Sequence, residues 1–295
     1  MWATEKREGD PPKQSNNPTG DFHTYKDPIP TNCCANWFCL GGTGRGYPEF
    51  ANTPNTEYGY HNLAVFFYGC NFDCFFCQNI NHKRLSDRYV TRATEVVERV
   101  LRNKKYSCVC YFGGSPEPHF PFVLNLNRQI LEKKEKDRVL RICFEWNGAG
   151  NPSLVKKAAQ QALENGGIVK FDLKAPDSKM SYALSGVTNE RVFSNFQLVY
   201  ENFWEERPNV PVLTATTLLV PGYIGPEEIE RISKRIASID ERIPYSLLVF
   251  HPDFKALDLP ITPKEVANSS LKKAKKHLKY VHLGNKHLLS LAPSK

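Results

Sequence analysis

The stretch NLAVFFYGCNFDCFFCQN, residues 62–79, joins a continuous apolar run to a loop that carries three cysteines. A short apolar run that ends at a turn residue is typical of a strand buried on both faces of a parallel sheet. Cys70, Cys74 and Cys77 follow directly on this strand, which is a poor position for side chains that only fill a core. Their odd number means that a metal centre held by them keeps one position that the protein does not fill.

The spacing of these thiols favours an iron–sulfur cluster over a structural zinc site. Four-thiolate zinc motifs pair one CxxC with a second CxxC or with two histidines, and neither accompanies Cys74 and Cys77. Three thiolates on a four-iron cube leave one iron open to a ligand, as a catalytic centre requires. We therefore predict that Cys70, Cys74 and Cys77 hold a [4Fe-4S] cluster.

Strand-like apolar runs alternate with segments of helical periodicity from residue 62 onward. The runs lie at 62–69, 108–114, 139–146, 167–174, 212–222 and 245–250, and the helical segments at 92–105, 121–136, 151–167, 189–203 and 225–240. This alternation implies crossover units and a parallel sheet, either open and doubly wound or closed into a full or partial barrel. Both folds place their chemistry at the carboxyl ends of the strands. The residues found there are Cys70, Gly113, Glu145, Asp172, Lys174, Pro221 and His251.

The composition is that of an ordinary globular enzyme, with 41% hydrophobic and 24% charged residues in a chain of 295. No apolar run approaches the roughly 20 residues needed to span a bilayer, and the N-terminus has no apolar signal core. We therefore expect a cytoplasmic protein that makes no membrane contact. The net charge of +8 is compatible with an acidic ligand or with RNA.

The chain is expected to consist of three segments. Residues 1–60 form an irregular N-terminal extension or cap, in which the polar, proline-containing residues 1–30 are expected to be a poorly ordered or surface-draped arm. Residues 61–262 form the α/β unit. Residues 263–295 form a C-terminal basic helix and tail, whose charges are interpreted as a solvated face.

Nine cysteines are many for a reducing compartment, where they are more often ligands or catalysts than disulfides. Cys33, Cys34 and Cys39 have neither CxxC spacing nor a nearby histidine pair, so we interpret them as incidental cysteines of a cap over the active site. The three cysteines outside both groups are interpreted as small core residues. They are Cys108, Cys110 and Cys143.

The motif CNFDCFFC has the CxxxCxxC form of the radical S-adenosylmethionine (radical SAM) superfamily. Residues 62–263 resemble the branch related to pyruvate formate-lyase activating enzyme, which includes the AmmeMemoRadiSam-system proteins. The resemblance implies a partial (β/α)6 TIM-like barrel and an open iron that binds the amino and carboxylate groups of SAM. It also implies that an electron, from a flavodoxin- or ferredoxin-like donor, cleaves SAM to methionine and a 5'-deoxyadenosyl radical that abstracts hydrogen.

Two further motifs resemble segments that contact SAM in this family. GGSPEPH (113–119) resembles the GGEP-like segment whose backbone meets the SAM amino group, although Ser115 and Pro116 are inserted here. FEWNGAGN (144–151) resembles the ETNG segment near the SAM ribose. Each of the two motifs is also compatible with an ordinary turn. The cofactor-binding residues that the resemblance implies are Gly113, Gly114, Ser115, Glu117, Glu145 and Asn147.

KFDLKAPD (170–177) matches the family's DLK segment. Asp172 and Lys174 share one face of a strand, so they are expected to pair with each other or with the SAM carboxylate. His251 follows the last predicted strand, where relatives carry a residue that packs on adenosine. It is either such a contact or a structural histidine.

The resemblance favours an activase-like oxidoreductase that takes a hydrogen atom from a protein or peptide, as in glycyl-radical enzyme activation. Two alternatives stay open at this point. One is radical SAM modification of RNA or of a small metabolite, and the other is an iron–sulfur electron-transfer protein. A pure electron carrier needs no open iron, which counts against the last alternative.

Overall fold

A computed structural model describes residues 19–83 and 90–291 as an α/β fold around one nine-stranded, mostly parallel sheet. The strands are β1 (Thr19–Pro28), β2 (His61–Phe67), β3 (Val90–Arg92), β4 (Tyr106–Gly113), β5 (Arg141–Trp146), β6 (Val169–Asp172), β7 (Leu213–Leu219), β8 (Tyr245–Val249) and β9 (Val281–Gly284). The helices are α1 (Leu40–Thr43), α2 (Ala93–Arg102), α3 (Phe120–Lys133), α4 (Pro152–Glu164), α5 (Ser178–Ser185), α6 (Glu190–Phe203), α7 (Pro226–Ala237) and α8 (Lys264–Ala274).

The strand order in the sheet is β3-β1-β2-β4-β5-β6-β7-β8-β9. From β2 to β9 all neighbouring strands are parallel, whereas β1 is antiparallel to both β2 and β3. Helices follow β4, β5, β6, β7 and β8, as crossover connections between parallel strands require. This is the architecture of a partial TIM-like barrel.

Successive side chains of the parallel strands serve opposite faces of the sheet. In β4, Val109 and Tyr111 are fully buried in the hydrophobic core, and the Tyr111 hydroxyl donates a hydrogen bond to Asn127 of α3. Cys108 and Cys110, on the other face, line a cavity inside the sheet. The two-residue period of a strand therefore separates an apolar, helix-covered face from a polar inner face.

The structure confirms the six predicted strands and five predicted helices of the α/β unit, with ends that differ by a few residues. The expectation of a poorly ordered arm was wrong for residues 19–28, because β1 pairs with the whole of β2. Residues 1–18 of that arm lie outside the described residues. The predicted basic helix is α8, but β9 follows it and adds a seventh parallel strand.

The segment between β1 and β2 packs against the inner face of the sheet. Its Glu57 forms a buried ion pair with Arg141 of β5, with Nη2–Oε2 and Nη1–Oε1 distances of 2.6 and 2.8 Å. Trp37 donates a hydrogen bond from Nε1 to Ser246 of β8 at 2.8 Å. The segment that sequence analysis expected to cover the site therefore fills part of the interior of the sheet. The division into segments 1–60, 61–262 and 263–295 stays a proposal. Strands from all three segments belong to one sheet.

None of the helices within residues 19–83 and 90–291 is both long and apolar enough to cross a bilayer.

Replacing Glu57 with glutamine is expected to destabilise the fold at neutral pH by about 3–5 kcal/mol, because it leaves the buried Arg141 charge without its partner. Burial alone would raise the pKa of Glu57, but the Arg141 guanidinium outweighs burial and lowers it from 4.5 to about 2. The stabilisation is therefore present above pH 4.5 and lost as the pH falls towards 2.

The measurement is the unfolding midpoint of both proteins between pH 2 and 8. The difference between wild type and variant should shrink as the pH falls below 4.5. A matched change in an exposed pair, Glu135→Gln beside Lys104, should have little effect. A difference for Glu57→Gln that does not change with pH would contradict this account.

Candidate active site

The cysteine loop begins where β2 ends and leads into a single 3-10 turn, Ile80–Lys83. Cys74 is buried, whereas Cys70 and Cys77 are half-buried. All three line a cavity of about 240 Å³ at the carboxyl ends of the parallel strands, which we call the motif cavity. The structure thus brings the three predicted cluster ligands to one side of one cavity.

The donor set fits a multi-iron cluster. The three sulfurs do not form a group whose members all lie within 4.8 Å of one another, which suits thiolates that each bind a different iron. Burial raises the pKa of all three thiols, to about 11 for Cys70 and about 12 for Cys74. Without a metal they are therefore protonated, and a bound metal displaces their protons.

The double glycine at the end of β4 permits close contact with the cysteine loop. The Gly114 amide donates a hydrogen bond to the Phe67 carbonyl at 3.0 Å. A Cβ atom at Gly114 would lie 1.8 Å from the carbonyl oxygen of Gly69, and Gly113 has φ +105°. Both positions therefore require glycine, and the loop that holds the cysteines is packed directly on the backbone of this turn.

Asn147, which follows β5, connects this turn to the cysteine loop. Its Nδ2 donates hydrogen bonds to Asn71 Oδ1 at 2.6 Å and to Ser115 Oγ at 3.0 Å. The same atom lies 3.7 Å from Cys70 Sγ. Asn147 Oδ1 also accepts from the Ala149 amide at 2.9 Å. Ser115 and Asn147 both line the cavity, and each keeps one lone pair of its side-chain oxygen for a further hydrogen bond.

Glu117 lies behind the cavity wall and is not among the residues that line it. Its carboxylate accepts hydrogen bonds from the Gly148 amide at 2.7 Å and from the Ser115 hydroxyl. Burial raises the pKa of Glu117 to about 7. In this structure Glu117 therefore braces the two loops that carry Ser115 and Asn147.

Asp172 and Lys174 form an ion pair in the cavity with an Nζ–Oδ2 distance of 2.6 Å, as their shared strand face predicts. The lysine ammonium also lies 5.8 Å from the ring centroid of Phe76 in the cysteine loop. Burial opposes the charge of Lys174, but Asp172 and the nearby thiols together outweigh it, so the pKa of this lysine is above its ordinary value. A cation thus lies beside the cysteine motif.

Glu145 stands at the boundary between this cavity and a second one, and it lines both. Its Oε2 accepts a hydrogen bond from Lys170 at 2.6 Å, and its Oε1 accepts one from the Cys33 thiol at 2.7 Å. Sequence analysis missed Lys170, although the two-residue period of KFDLK places it on the same face as Asp172. Each oxygen of Glu145 thus has one partner within the chain and one lone pair left for a ligand.

Two histidines lie near the cysteine loop. His251 is not among the residues that line the motif cavity, and it is connected to the cysteine loop through its backbone carbonyl, which accepts a hydrogen bond from Gln78 at 3.2 Å. His82, which sequence analysis did not single out, is buried in the cavity wall with Nε2 3.5 Å from Cys77 Sγ. Burial lowers the pKa of His82, so the neutral imidazole is favoured beside this thiol.

The second cavity, of about 320 Å³, lies deeper inside the sheet. Five cysteines line it: Cys33, Cys39, Cys108, Cys110 and Cys143. The interpretation of the last three as small core residues agrees with the burial of Cys110, but it did not foresee the cavity that all three border. Cys108 Sγ and Cys143 Sγ are 3.5 Å apart.

Residues 64–239 match the radical SAM superfamily. The chain belongs to this superfamily. It is therefore an enzyme whose cofactors are a [4Fe-4S] cluster and SAM, as the CxxxCxxC motif predicted. The match covers the strands from β2 to β7, which carry the cysteine motif, the double glycine, Asn147 and the Asp172–Lys174 pair.

Among curated proteins, this radical SAM chain is similar to two activating enzymes. It is 26% identical over 188 residues to a protein of Methanocaldococcus jannaschii named as a candidate glycyl-radical enzyme activating enzyme. It is 27% identical over 139 residues to the isethionate sulfite-lyase activating enzyme of Desulfovibrio desulfuricans. The matches cover 63% and 47% of this chain, and the chain spans 66% and 40% of these relatives' own lengths.

A solved radical SAM structure shows the same fold. SuiB of Streptococcus suis bound to SAM has a TM-score of 0.53 at 15% identity, over 75% of this chain and 51% of that protein. Its complex with the precursor peptide SuiA has a TM-score of 0.50 at 16% identity, over 73% and 47% of the two chains. At these identities the likeness concerns the fold alone.

Replacing Gly114 with alanine is expected to displace the cysteine loop, because the new Cβ meets the Gly69 backbone. Such overpacking costs about 1–3 kcal/mol or more, and the iron content after anaerobic reconstitution should fall. Gly225→Ala is the matched control, since its Cβ meets only the flexible Glu228 side chain at 3.5 Å. Equal iron per chain in the two variants would contradict the proposed role of the double glycine.

Proposed function

We propose that this radical SAM enzyme is activase-like and takes a hydrogen atom from a polypeptide substrate. The observation that carries the proposal is the convergence of the three cysteines with the double glycine, Asn147 and the Asp172–Lys174 pair around one cavity. When bound there, the cluster and SAM supply reductive cleavage of SAM and hydrogen abstraction. The residues of this chain would bind and orient these groups.

Cys70, Cys74 and Cys77 would hold the cluster, each thiolate binding a different iron. Lys174 supplies a positive charge for the SAM carboxylate, and the backbone at Gly113 and Gly114 supplies polar groups close to the cysteine loop. Asn147 and Ser115 offer amide and hydroxyl groups that suit the ribose hydroxyls. His251 stays a proposed contact of the adenosine moiety. Its backbone carbonyl accepts a hydrogen bond from Gln78, which connects it to the cysteine loop.

Apolar residues of the cavity wall also keep water away from the reacting groups. Phe72, Phe76 and Trp146 are nearly fully buried and form apolar parts of its wall. An apolar wall excludes water from the reacting groups and strengthens the electrostatic contacts of Lys174 and Asp172. These residues thus bind, orient and shield the cofactor.

A polypeptide substrate is supported by the two curated relatives, both named as activating enzymes of other proteins. The SuiB complex with a precursor peptide supports it as well, because that protein has a similar fold and binds a peptide. We propose a flavodoxin- or ferredoxin-like protein as electron donor and a cytoplasmic location. The second cavity, of about 320 Å³, favours a small metabolite as the second candidate substrate.

Cys70→Ala, Cys74→Ala and Cys77→Ala are each expected to abolish cluster binding and the formation of 5'-deoxyadenosine, because each thiolate is proposed to hold a different iron. Cys110→Ala is the matched control, since this buried thiol lines the second cavity only. Iron content and deoxyadenosine are measured after anaerobic reconstitution and addition of SAM and reductant. Full deoxyadenosine formation by any of the first three variants would overturn the proposed ligand set.

Lys174→Ala is expected to weaken SAM binding by about 10- to 100-fold, the usual value of a charge-assisted hydrogen bond, without loss of the cluster. Binding is measured by anaerobic equilibrium dialysis of the reconstituted enzyme. Lys104→Ala is the control, because that lysine forms an exposed pair with Glu135 outside the cavity. Unchanged SAM affinity in Lys174→Ala would leave the Asp172 pair with a structural role only.

The substrate class is tested by transfer of deuterium into deoxyadenosine. Cells grown in deuterated medium are lysed without oxygen and separated into protein, RNA and small-molecule fractions, and each fraction is incubated with the reconstituted enzyme, unlabelled SAM and reductant. Label should appear with the protein fraction and disappear after protease treatment. Transfer that survives protease but not nuclease would replace the proposal by RNA modification, and transfer with the small-molecule fraction would replace it by metabolite chemistry.

A further inference from the structure

Three donor atoms from two distant parts of the chain converge at the boundary between the two cavities. The sulfurs of Cys33 and Cys34 and a carboxylate oxygen of Glu145 all lie within 4.8 Å of one another. Within residues 19–83 and 90–291, no other set of three cysteine, histidine, aspartate or glutamate side chains is this close. The interpretation of these two cysteines as incidental was therefore incomplete, because it considered only ligands that lie nearby in the sequence.

We propose that Cys33, Cys34 and Glu145 bind one thiophilic divalent cation of the zinc type, with its fourth coordination position open to the motif cavity. Two thiolates and a carboxylate form a donor set that zinc accepts, and three protein ligands with one open position are typical of catalytic zinc. Around tetrahedral zinc the donors lie about 3.5–3.8 Å apart. The Cys33 Sγ–Glu145 Oε1 distance of 2.7 Å must widen by ~1 Å, which side-chain rotation supplies.

The charges at the site balance when a divalent cation is present. Two thiolates and the Glu145 carboxylate carry three negative charges, the cation brings two positive ones, and Lys170 brings the third. In the metal-free chain the Cys33 thiol proton, donated to Glu145, occupies the position between two of the donors. Binding of the cation displaces the thiol protons to solvent, and the charges of the occupied site then sum to zero.

Lys170 has the position of an outer-shell partner. It donates to Oε2 of Glu145, which leaves Oε1 directed at Cys33 and therefore at the proposed cation. Partners of this kind orient a ligating carboxylate and tune its affinity for the metal.

The cysteine pair is held by the sheet, which favours a built site over a chance contact. The Cys34 carbonyl accepts a hydrogen bond from Ser246 of β8 at 2.7 Å. Trp37 donates to the same hydroxyl and stacks on His282 of β9 with ring centroids 5.2 Å apart. Because Glu145 belongs to β5, all the ligands are attached to rigid elements.

The open position faces the reaction space proposed above. Cys34, Glu145 and Lys170 line the same cavity as the cysteine loop. A thiolate or carboxylate of a substrate is the class of ligand that such a cation accepts. The site itself does not depend on the proposed function, since the chain can bind zinc whether or not it cleaves SAM.

The test uses the full chain with its [4Fe-4S] cluster already reconstituted, so that Cys70, Cys74 and Cys77 are occupied. Zinc is titrated against a chromophoric chelator, cobalt is titrated as a spectroscopic substitute, and both metals and iron are counted per chain. The variants are Cys33→Ser, Cys34→Ser and Glu145→Gln. Cys39→Ser is the matched control, because its thiol lies in the same segment but caps α1 by accepting from the Gly42 amide.

Wild type should bind one zinc beyond its iron and show a thiolate-to-cobalt charge-transfer band. In Cys33→Ser and in Cys34→Ser the band should disappear or fall to half its intensity, and zinc affinity should fall by at least about 100-fold. In Glu145→Gln zinc affinity should fall by about 10-fold or more. Iron per chain should not change in these variants, and Cys39→Ser should bind zinc like wild type.

Three results would overturn the proposal. The first is a reconstituted wild type that binds no zinc and gives no cobalt band. The second is an equal loss of affinity in Cys39→Ser. The third is a disulfide between Cys33 and Cys34, found by mass spectrometry in protein purified without oxygen. If a serine variant fails to fold, as judged by circular dichroism and cluster absorption, Glu145→Gln decides, and full zinc affinity in that variant rejects the site. Failure of SAM cleavage with zinc bound counts against the proposed function alone.

Discussion

The site depends on the parallel pairing of β2 with β4. In this register Phe67 lies opposite Gly113, so the loop that carries the cysteines and the loop that carries the double glycine leave the sheet side by side. The approach of Gly114 to the Gly69 carbonyl then fixes one loop against the other. A side chain at this turn, or a shift of one residue in register, would separate the cysteines from the residues of β4.

The inner face of the sheet carries more charge than a protein interior usually tolerates. Glu57–Arg141, Glu145–Lys170 and Asp172–Lys174 lie at successive depths, from the amino end of β5 to the mouth of the sheet. Each buried charge has a partner at about 2.6 Å, which offsets much of its desolvation. The deepest pair attaches the N-terminal segment to the sheet and borders the second cavity through Arg141, and the two outer pairs border the motif cavity.

The two sets of cysteines differ in the way the chain brings them together. Cys70, Cys74 and Cys77 belong to one loop and need only a turn to face one cavity. Cys33 and Cys34 meet Glu145 only because the segment before β2 folds into the sheet and is held there by Trp37 and the Glu57–Arg141 pair. A local pattern reveals the first set, and no local pattern reveals the second.

The sequence by itself determined the alternation of strands and helices, the superfamily and the cluster motif. These are local properties: apolar runs and helical periods set the elements, and the CxxxCxxC spacing sets three ligands within eight residues. It also placed Asp172 and Lys174 on one face and expected them to pair with each other or with a ligand, and the structure shows them paired with each other. Only the tertiary structure decided the pairing of β1 with β2, the addition of β9, the place of Glu117 behind the cavity wall and the meeting of Cys33 with Glu145 across 112 residues. Each of these contacts joins residues that no short period or spacing relates. They arise because burial of the sheet's inner face selects the partners that satisfy its polar and charged groups.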